Sequence, residues 1–339
     1  MSLLDLANEL LLAIKAHIAP TDLLTHVCFL QLCARTQACY EGAAGVRGFW
    51  RALVRANGLG LNDFERDGER TWRRVGVKCA EHAWVCADGA CGVARLEENQ
   101  KRIQEAAEQW PEWDSSKAVT PGEAYAVGGG EITPSSLLGR LGLNSDFPHP
   151  LCEELQLRKQ IKQCAFIRKD DTPGWSRADL LKQHPVALRS FATFPFLTSF
   201  YMLNLHDQEY LESEVQPENK HGITVHDYLT ALGEVLGKRM SSDQLNDFLR
   251  TMPHLPDGRE DLFPKTWAHR DILVVASNVG SWFQLMNWTG ISQLEGSEER
   301  GPCFVMEFDW KELPKDVREH VDMYEDERPC TLVEGVPAP

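Results

Sequence analysis

The sequence has no apolar run long enough to cross a membrane as a helix. Its most apolar stretches, such as Ile272 to Ala276, fall far short of the roughly 18 or more residues that a span requires. It also lacks a basic excess. Its 35 Lys and Arg face 50 Asp and Glu, for a formal charge of −15. Broad, non-specific nucleic-acid binding is therefore disfavoured, because phosphates need a positive face; a small local contact is not excluded. No internal repeat and no strong low-complexity tract is present. The 43% apolar and 25% charged fractions exclude a wholly disordered chain, a collagen-like repeat and a coiled-coil rod.

Catalytic signatures are missing too. His269-Arg270-Asp271-Ile272 has the look of a kinase catalytic loop, but Ala276 stands where the Asn is required. No Gly-rich phosphate loop precedes it and no Asp-Phe-Gly follows. Gly128-Gly129-Gly130 lacks the spacing and Lys of a phosphate cradle and reads as flexible linker. No Gly-x-Ser-x-Gly elbow occurs. In His206-Asp207 and His226-Asp227 the neighbours point to different faces, so surface or capping roles are expected rather than acid–base pairs.

What is present divides unevenly. At roughly 150 residues per domain, 339 residues suggest about two domains. Pro111, Pro121, Gly128 to Gly130 and Pro134 mark residues 111–136 as a connection. Ahead of it, Leu3, Leu6, Leu10 and Ile14 fall at helical spacing, with Leu11 and Ile18 widening the stripe. Met1 to Ile18 carries Asp5 and Glu9 and no basic n-region, so it reads as a folded helix rather than a leader. Pro20 breaks the pattern, and Thr21 is placed to cap a second helix bearing Leu23, Leu24, Val27, Cys28 and Leu32. A third short helix, Phe49 to Ala56, buries Phe49, Trp50 and Leu53 and stops at Asn57-Gly58. Leu4, Leu11, Leu12 and Leu24 carry apolar surface beyond what so small a bundle can bury alone, so another chain or domain is expected to cover it.

Behind the connection, Thr224 is placed to cap a helix running to Gly237, with Asp227 in its first turn. Ser242 caps another. Ile272 to Ala276 reads as a buried strand, and Phe304, Met306, Phe308 and Trp310 alternate as in a half-buried one. A further helix follows Pro314. Strands and helices interleave without a βαβ rhythm, so the expected class is α+β. Trp267, Trp282, Trp288 and Trp310 can build a core or a recognition pocket. From Glu295 to Glu327, 12 acidic side chains face 4 basic ones, a solvated face or a docking surface for a basic partner.

One cluster carries metal chemistry. Cys79, His82, Cys86 and Cys91 form Cys-x₂-His-x₃-Cys-x₄-Cys, and four such donors can complete a tetrahedral zinc shell. Asp88-Gly89 favours a two-residue β-hairpin loop, which would set Cys86 opposite Cys91. Two other states fit the same residues: buried thiols in a small hairpin with His82 exposed, or a Cys86–Cys91 disulfide, which a reducing compartment disfavours. Ten cysteines scattered without a secretory signal indicate such a compartment, cytoplasmic or nuclear.

The N-terminal pattern resembles the F-box family. It comprises Leu3-Leu4-Asp5-Leu6-Ala7-Asn8-Glu9-Leu10, then Ile14, Ile18-Ala19-Pro20-Thr21-Asp22-Leu23-Leu24, Cys33, and Trp50 near the end. Ala7 stands where the family usually has Pro, and Gln37 to Gly48 is looser than its pattern. The resemblance implies a three-helix module over residues 1–57 that docks on a Skp-type adaptor of a cullin ubiquitin ligase. Leu6, Ala7, Leu10, Ile14, Leu23, Leu24 and Trp50 would be its contact positions. Residues 58–110 are then a hairpin and helix with the metal site, and 137–330 an α+β domain that holds a target without catalysing anything. That back half is also similar to an uncharacterised domain of fungal proteins. The similarity rests on His184-Pro185, Phe191 to Pro195, Ile223 to Leu229 and the strand after Arg270; it implies no activity. The alternatives are an intramolecular role for the front helices, an enzyme with a site assembled near His226, His254 or His269, and a zinc-stabilised scaffold that meets no ligase.

Overall fold

The computed structural model describes residues 6–41, 48–86, 91–126, 130–138, 141–142, 165–166, 184–204, 215–236, 286–297 and 301–310. Ser242, Ile272 to Ala276, the helix after Pro314, His206, Asp207, His254, His269, Trp267, Trp282 and most of the acidic run lie outside these residues.

The front part is helical: α1 (Asn8–His17), α2 (Leu23–Gln31), α3 (Ala34–Ala38) and α4 (Phe49–Ala56). The cap of α2 is Asp22 rather than the expected Thr21. The Asp22 carboxylate accepts from Thr25 N at 2.9 Å, because a cap must stand one residue ahead of the first turn to reach its orphan N–H groups. The Thr21 carbonyl instead accepts from Asn57 Nδ2 and Gln100 Nε2. Helix α4 ends at Asn57, and Gly58 takes the left-handed conformation at φ 68°. A Cβ there would stand 2.5 Å from Asn99 Cβ, so both the turn and the close approach require glycine.

Two long helices follow, α5 (Glu69–Val85) and α6 (Val93–Gln109). Helix α5 buries Trp72, Val75, Gly76, Cys79, Ala80 and Ala83, steps of three and four that form one stripe. At Gly76 a Cβ would meet Val54 Cγ2 at 2.9 Å, so α4 and α5 pack closely there. The loop of the β-hairpin expected through Asp88-Gly89 falls between these two helices. The chain is helical to Val85 and again from Val93. Residues 87–90 themselves lie outside the described ones.

The back part is mixed. Helix α7 (Pro121–Ala126) is followed by short strands β1 (Thr133–Pro134), β2 (Leu141–Gly142) and β3 (Ala165–Phe166), then α8 (Pro185–Arg189) and β4 (Thr193–Phe194). Strand β1 pairs antiparallel with β4, and β2 with β3. A three-stranded sheet joins β5 (Tyr201–Asn204), β7 (Gly301–Trp310) and β6 (Met286–Ser297), in that spatial order. In it β5 runs parallel to β7 and β6 antiparallel. Helix α9 (Val225–Leu236) opens at Thr224. Together these elements make an α+β arrangement. No described helix is long and apolar enough to cross a membrane.

One buried cluster runs through both parts. Leu11, Leu23, Trp50 and Trp72 share it with Val186, Ala192, Leu197, Tyr228 and Phe304. The stretch 111–136 is packed onto it: Val119 N donates to Phe196 O at 2.7 Å, Thr198 N donates to Val119 O at 2.9 Å, and Ile132 is buried. Arg55 ties the parts together from α4. Its guanidinium lies over the stacked Phe191 and Phe196 rings and donates to the carbonyls of Ser115 and His221.

Candidate metal centre

The end of α5, the start of α6 and the residue ahead of α8 converge on one point. There His82, Cys86, Cys91 and His184 bring their donor atoms within 4.8 Å of one another. Cys86 Sγ is 3.4 Å from His184 Nδ1. The His82 and His184 rings meet edge-on, 5.8 Å between centroids at 89°. His82 and Cys86 are half-buried, and Cys91 and His184 are buried.

Each donor has a local cause. His82 and Cys86 are four residues apart, so the helix stacks them one turn above the other on a single face. Cys86 is the residue after the last turn of α5, and Cys91 stands just ahead of the Gly92 cap of α6. The return of the second helix therefore sets one sulfur near the other. His184 precedes Pro185, which begins α8 with the fixed φ that suits a first turn.

Burial favours the neutral forms of two of these donors, His82 and Cys91. Burial holds His82 below its ordinary pKa, aided by the neighbouring His184 and Lys78. Burial pushes the Cys91 thiol up, and proximity of Cys86 adds to that. His82 Nε2 is buried with no hydrogen-bond partner among the described residues, a cost that a ligand on that nitrogen would remove. Two thiols and two imidazoles gathered in this way can hold a metal ion.

Of the four donors read from the sequence, the structure brings together His82, Cys86 and Cys91 and leaves out Cys79. Cys79 lies on the same helix, seven residues before Cys86, roughly 10 Å along the axis. It faces the core stripe, its sulfur contacts the Pro185 carbonyl at 3.8 Å, and burial pushes its thiol up to about 12. His184 supplies the fourth donor instead, and no spacing signal in the sequence marks it.

The seven docking positions divide by burial. Leu23 and Trp50 are core residues, each 1% exposed. Leu6, Ile14 and Leu24 are partly buried against the core. Ala7 and Leu10 face solvent. At the back, His226 and Asp227 serve different partners, as adjacent helical residues should. Asp227 accepts from the N–H of Thr224, which caps α9, while His226 meets the Phe64 ring and the Thr230 hydroxyl. No family model, curated protein or solved structure matches the chain.

Proposed function

We propose that the chain is a non-catalytic binding adaptor built around a structural zinc ion. In this reading its N-terminal helices dock on a Skp-type adaptor of a cullin ubiquitin ligase, in the manner of an F-box, in the cytoplasm or nucleus. The docking half rests on α1. Leu10 is 51% and Leu12 40% exposed, while Leu11 between them is buried. Leu11, helped by the partly buried Ile14, meets the core's demand on this helix, and Leu10 and Leu12 are left exposed. Leu6, Ala7, Ile14 and Leu24 would complete that surface, with Leu23 and Trp50 supporting it from below. Residues 137–330 would hold the target, raising its concentration near the ligase.

The zinc half rests on the donor set. Two cysteine sulfurs and two imidazoles suit zinc, with bonds of about 2.3 Å to sulfur and about 2.0–2.1 Å to nitrogen. Tetrahedral ligands at those lengths stand roughly 3.3–3.8 Å apart. The Cys86–His184 pair already does so at 3.4 Å. Four protein ligands leave no open position, so the ion would hold structure rather than activate water.

Co-expression with a Skp-type adaptor, followed by size-exclusion chromatography, tests the docking. A one-to-one complex is expected with the wild-type chain and not with Leu10→Asp. A folded chain that forms no complex overturns the docking half. The burial of Leu23 and Trp50 favours a second reading, a zinc-stabilised scaffold independent of any ligase, and that result would select it. Metal analysis of purified protein is expected to find about one zinc per chain; a value far below one overturns the zinc half of both readings.

A further inference from the structure

We infer that the metal centre is a long-range clip, fixing residues 184–190 to the tip of the α5–α6 pair so that metal occupancy governs the order of that segment. This rests on the zinc reading above. Three donors are local: His82, Cys86 and Cys91 lie at facing ends of two consecutive helices. The fourth is not. His184 follows Cys86 by 98 residues, and it stands at the head of α8. An ion held by all four therefore closes a long loop as well as a short one, and such clips remove the most freedom from the unfolded chain.

The contacts of the segment point the same way. Thiols meet it along its first half. Cys86 Sγ reaches His184 Nδ1, Cys79 Sγ reaches the Pro185 carbonyl at 3.8 Å, and the Cys91 thiol meets the backbone of Val186 and Ala187. Thiols are weak hydrogen-bond partners. Charge-assisted bonds to other segments come further on. Arg189 pairs with Glu65 and its carbonyl accepts from Gly60 N, and the Ser190 hydroxyl accepts from Asn99. A metal bonded to His184 would thus add a strong directional tie at the leading end of a segment whose Val186 and Ala187 are held by core burial. Cys79 then has a separate task as a packing thiol under Pro185 and is not a ligand.

Two measurements on the full-length chain test this. The first is titration with cobalt(II), whose visible spectrum reports tetrahedral sulfur and nitrogen coordination. The wild-type chain is expected to take up one equivalent, and Cys79→Ser to match it. His184→Ala is expected to lose at least about tenfold in affinity, since even an outer hydrogen-bond partner of a ligand typically costs that much. The second needs no substitution: amide hydrogen exchange of the unmodified chain, zinc-loaded and chelated. Protection of residues 184–188 is expected to fall at least tenfold on chelation, together with the tip residues 82–86 and 91–95, while α2 and α9 keep theirs. A chain that binds no cobalt overturns the zinc reading and this inference with it. A chain that binds cobalt but loses protection only at the tip, or binds equally well as His184→Ala, overturns the clip alone.

Discussion

Cys86 Sγ and His184 Nδ1 stand 3.4 Å apart although 98 residues separate them. The contact joins the end of α5 to the head of α8, and so joins the front half of the chain to the back. Ligation at such a joint stabilises the folded chain by mass action, because the unfolded chain does not hold the four donors together. At free zinc a hundredfold above Kd the gain is about 2.7 kcal/mol. Thermal unfolding with and without a chelator should therefore differ by several degrees, and Cys86→Ser should abolish the difference. Identical melting curves would show that zinc leaves the native state unaffected.

Leu10 and Leu11 are neighbours with opposite tasks. Leu11 is 1% exposed and packs in the shared cluster, whereas Leu10 is 51% exposed. Leu11→Ala should cost about 2–5 kcal/mol through lost burial and the cavity left behind. Leu10→Asp should change stability by no more than about 0.5 kcal/mol. Urea unfolding of the two variants checks this, and it also shows whether Leu10→Asp is a clean probe of docking. A large loss in Leu10→Asp would mean that Leu10 supports the fold directly.

Asp227 holds the start of α9 against two other segments. Its carboxylate accepts from Thr224 N and Oγ1 at 3.0 and 2.8 Å, from Asn219 Nδ2 at 2.7 Å, and from Asp63 N at 3.0 Å. The Thr224 hydroxyl returns the bond by accepting from Asp227 N at 3.2 Å. Removing the acceptor leaves buried donors without partners. Asp227→Ala should cost about 2–4 kcal/mol, more than an exposed helix cap loses. Asp227→Asn keeps the shape and part of the acceptor capacity and should cost less. Equal stability of the three proteins in urea would contradict this account.

These elements differ in how far sequence alone revealed them. The Thr224–Asp227 start of α9, the Asn57-Gly58 end of α4 and the strand over Phe304 to Trp310 were legible because each depends on residues a few positions apart. Cys79 entered the metal motif on linear spacing, but its thiol packs in the core under the Pro185 carbonyl, and the donors that gather are His82, Cys86, Cys91 and His184. His184 was not legible as a donor, since only the packing of α8 against α5 brings it to the others. Pro and Gly marked the turns within residues 111–136 without indicating that Val119 and Ile132 would pack on the core.

His26, on α2, is buried, with its Nδ1 2.8 Å from the Tyr40 hydroxyl and its ring edge-on to Phe49. Burial holds it below its ordinary pKa and outweighs the pull of Asp22. Burial does the same for His221 against Asp67 and for His226 against Asp227. A histidine depressed in the fold binds fewer protons there than in the unfolded chain. Its contribution is thus complete above the unfolded value of about 6.5 and is lost as pH falls through that value toward the folded one. Carboxylates titrate mainly lower, so the window from about pH 6.5 to 5 isolates the histidines. Urea unfolding of the chelated chain should show stability level above pH 7 and falling across that window. The fall should be shallower in His26→Gln, which keeps a polar partner for Tyr40 but cannot take up a proton. Stability that rises on acidification, or a slope unchanged in the variant, would place the titrating group elsewhere.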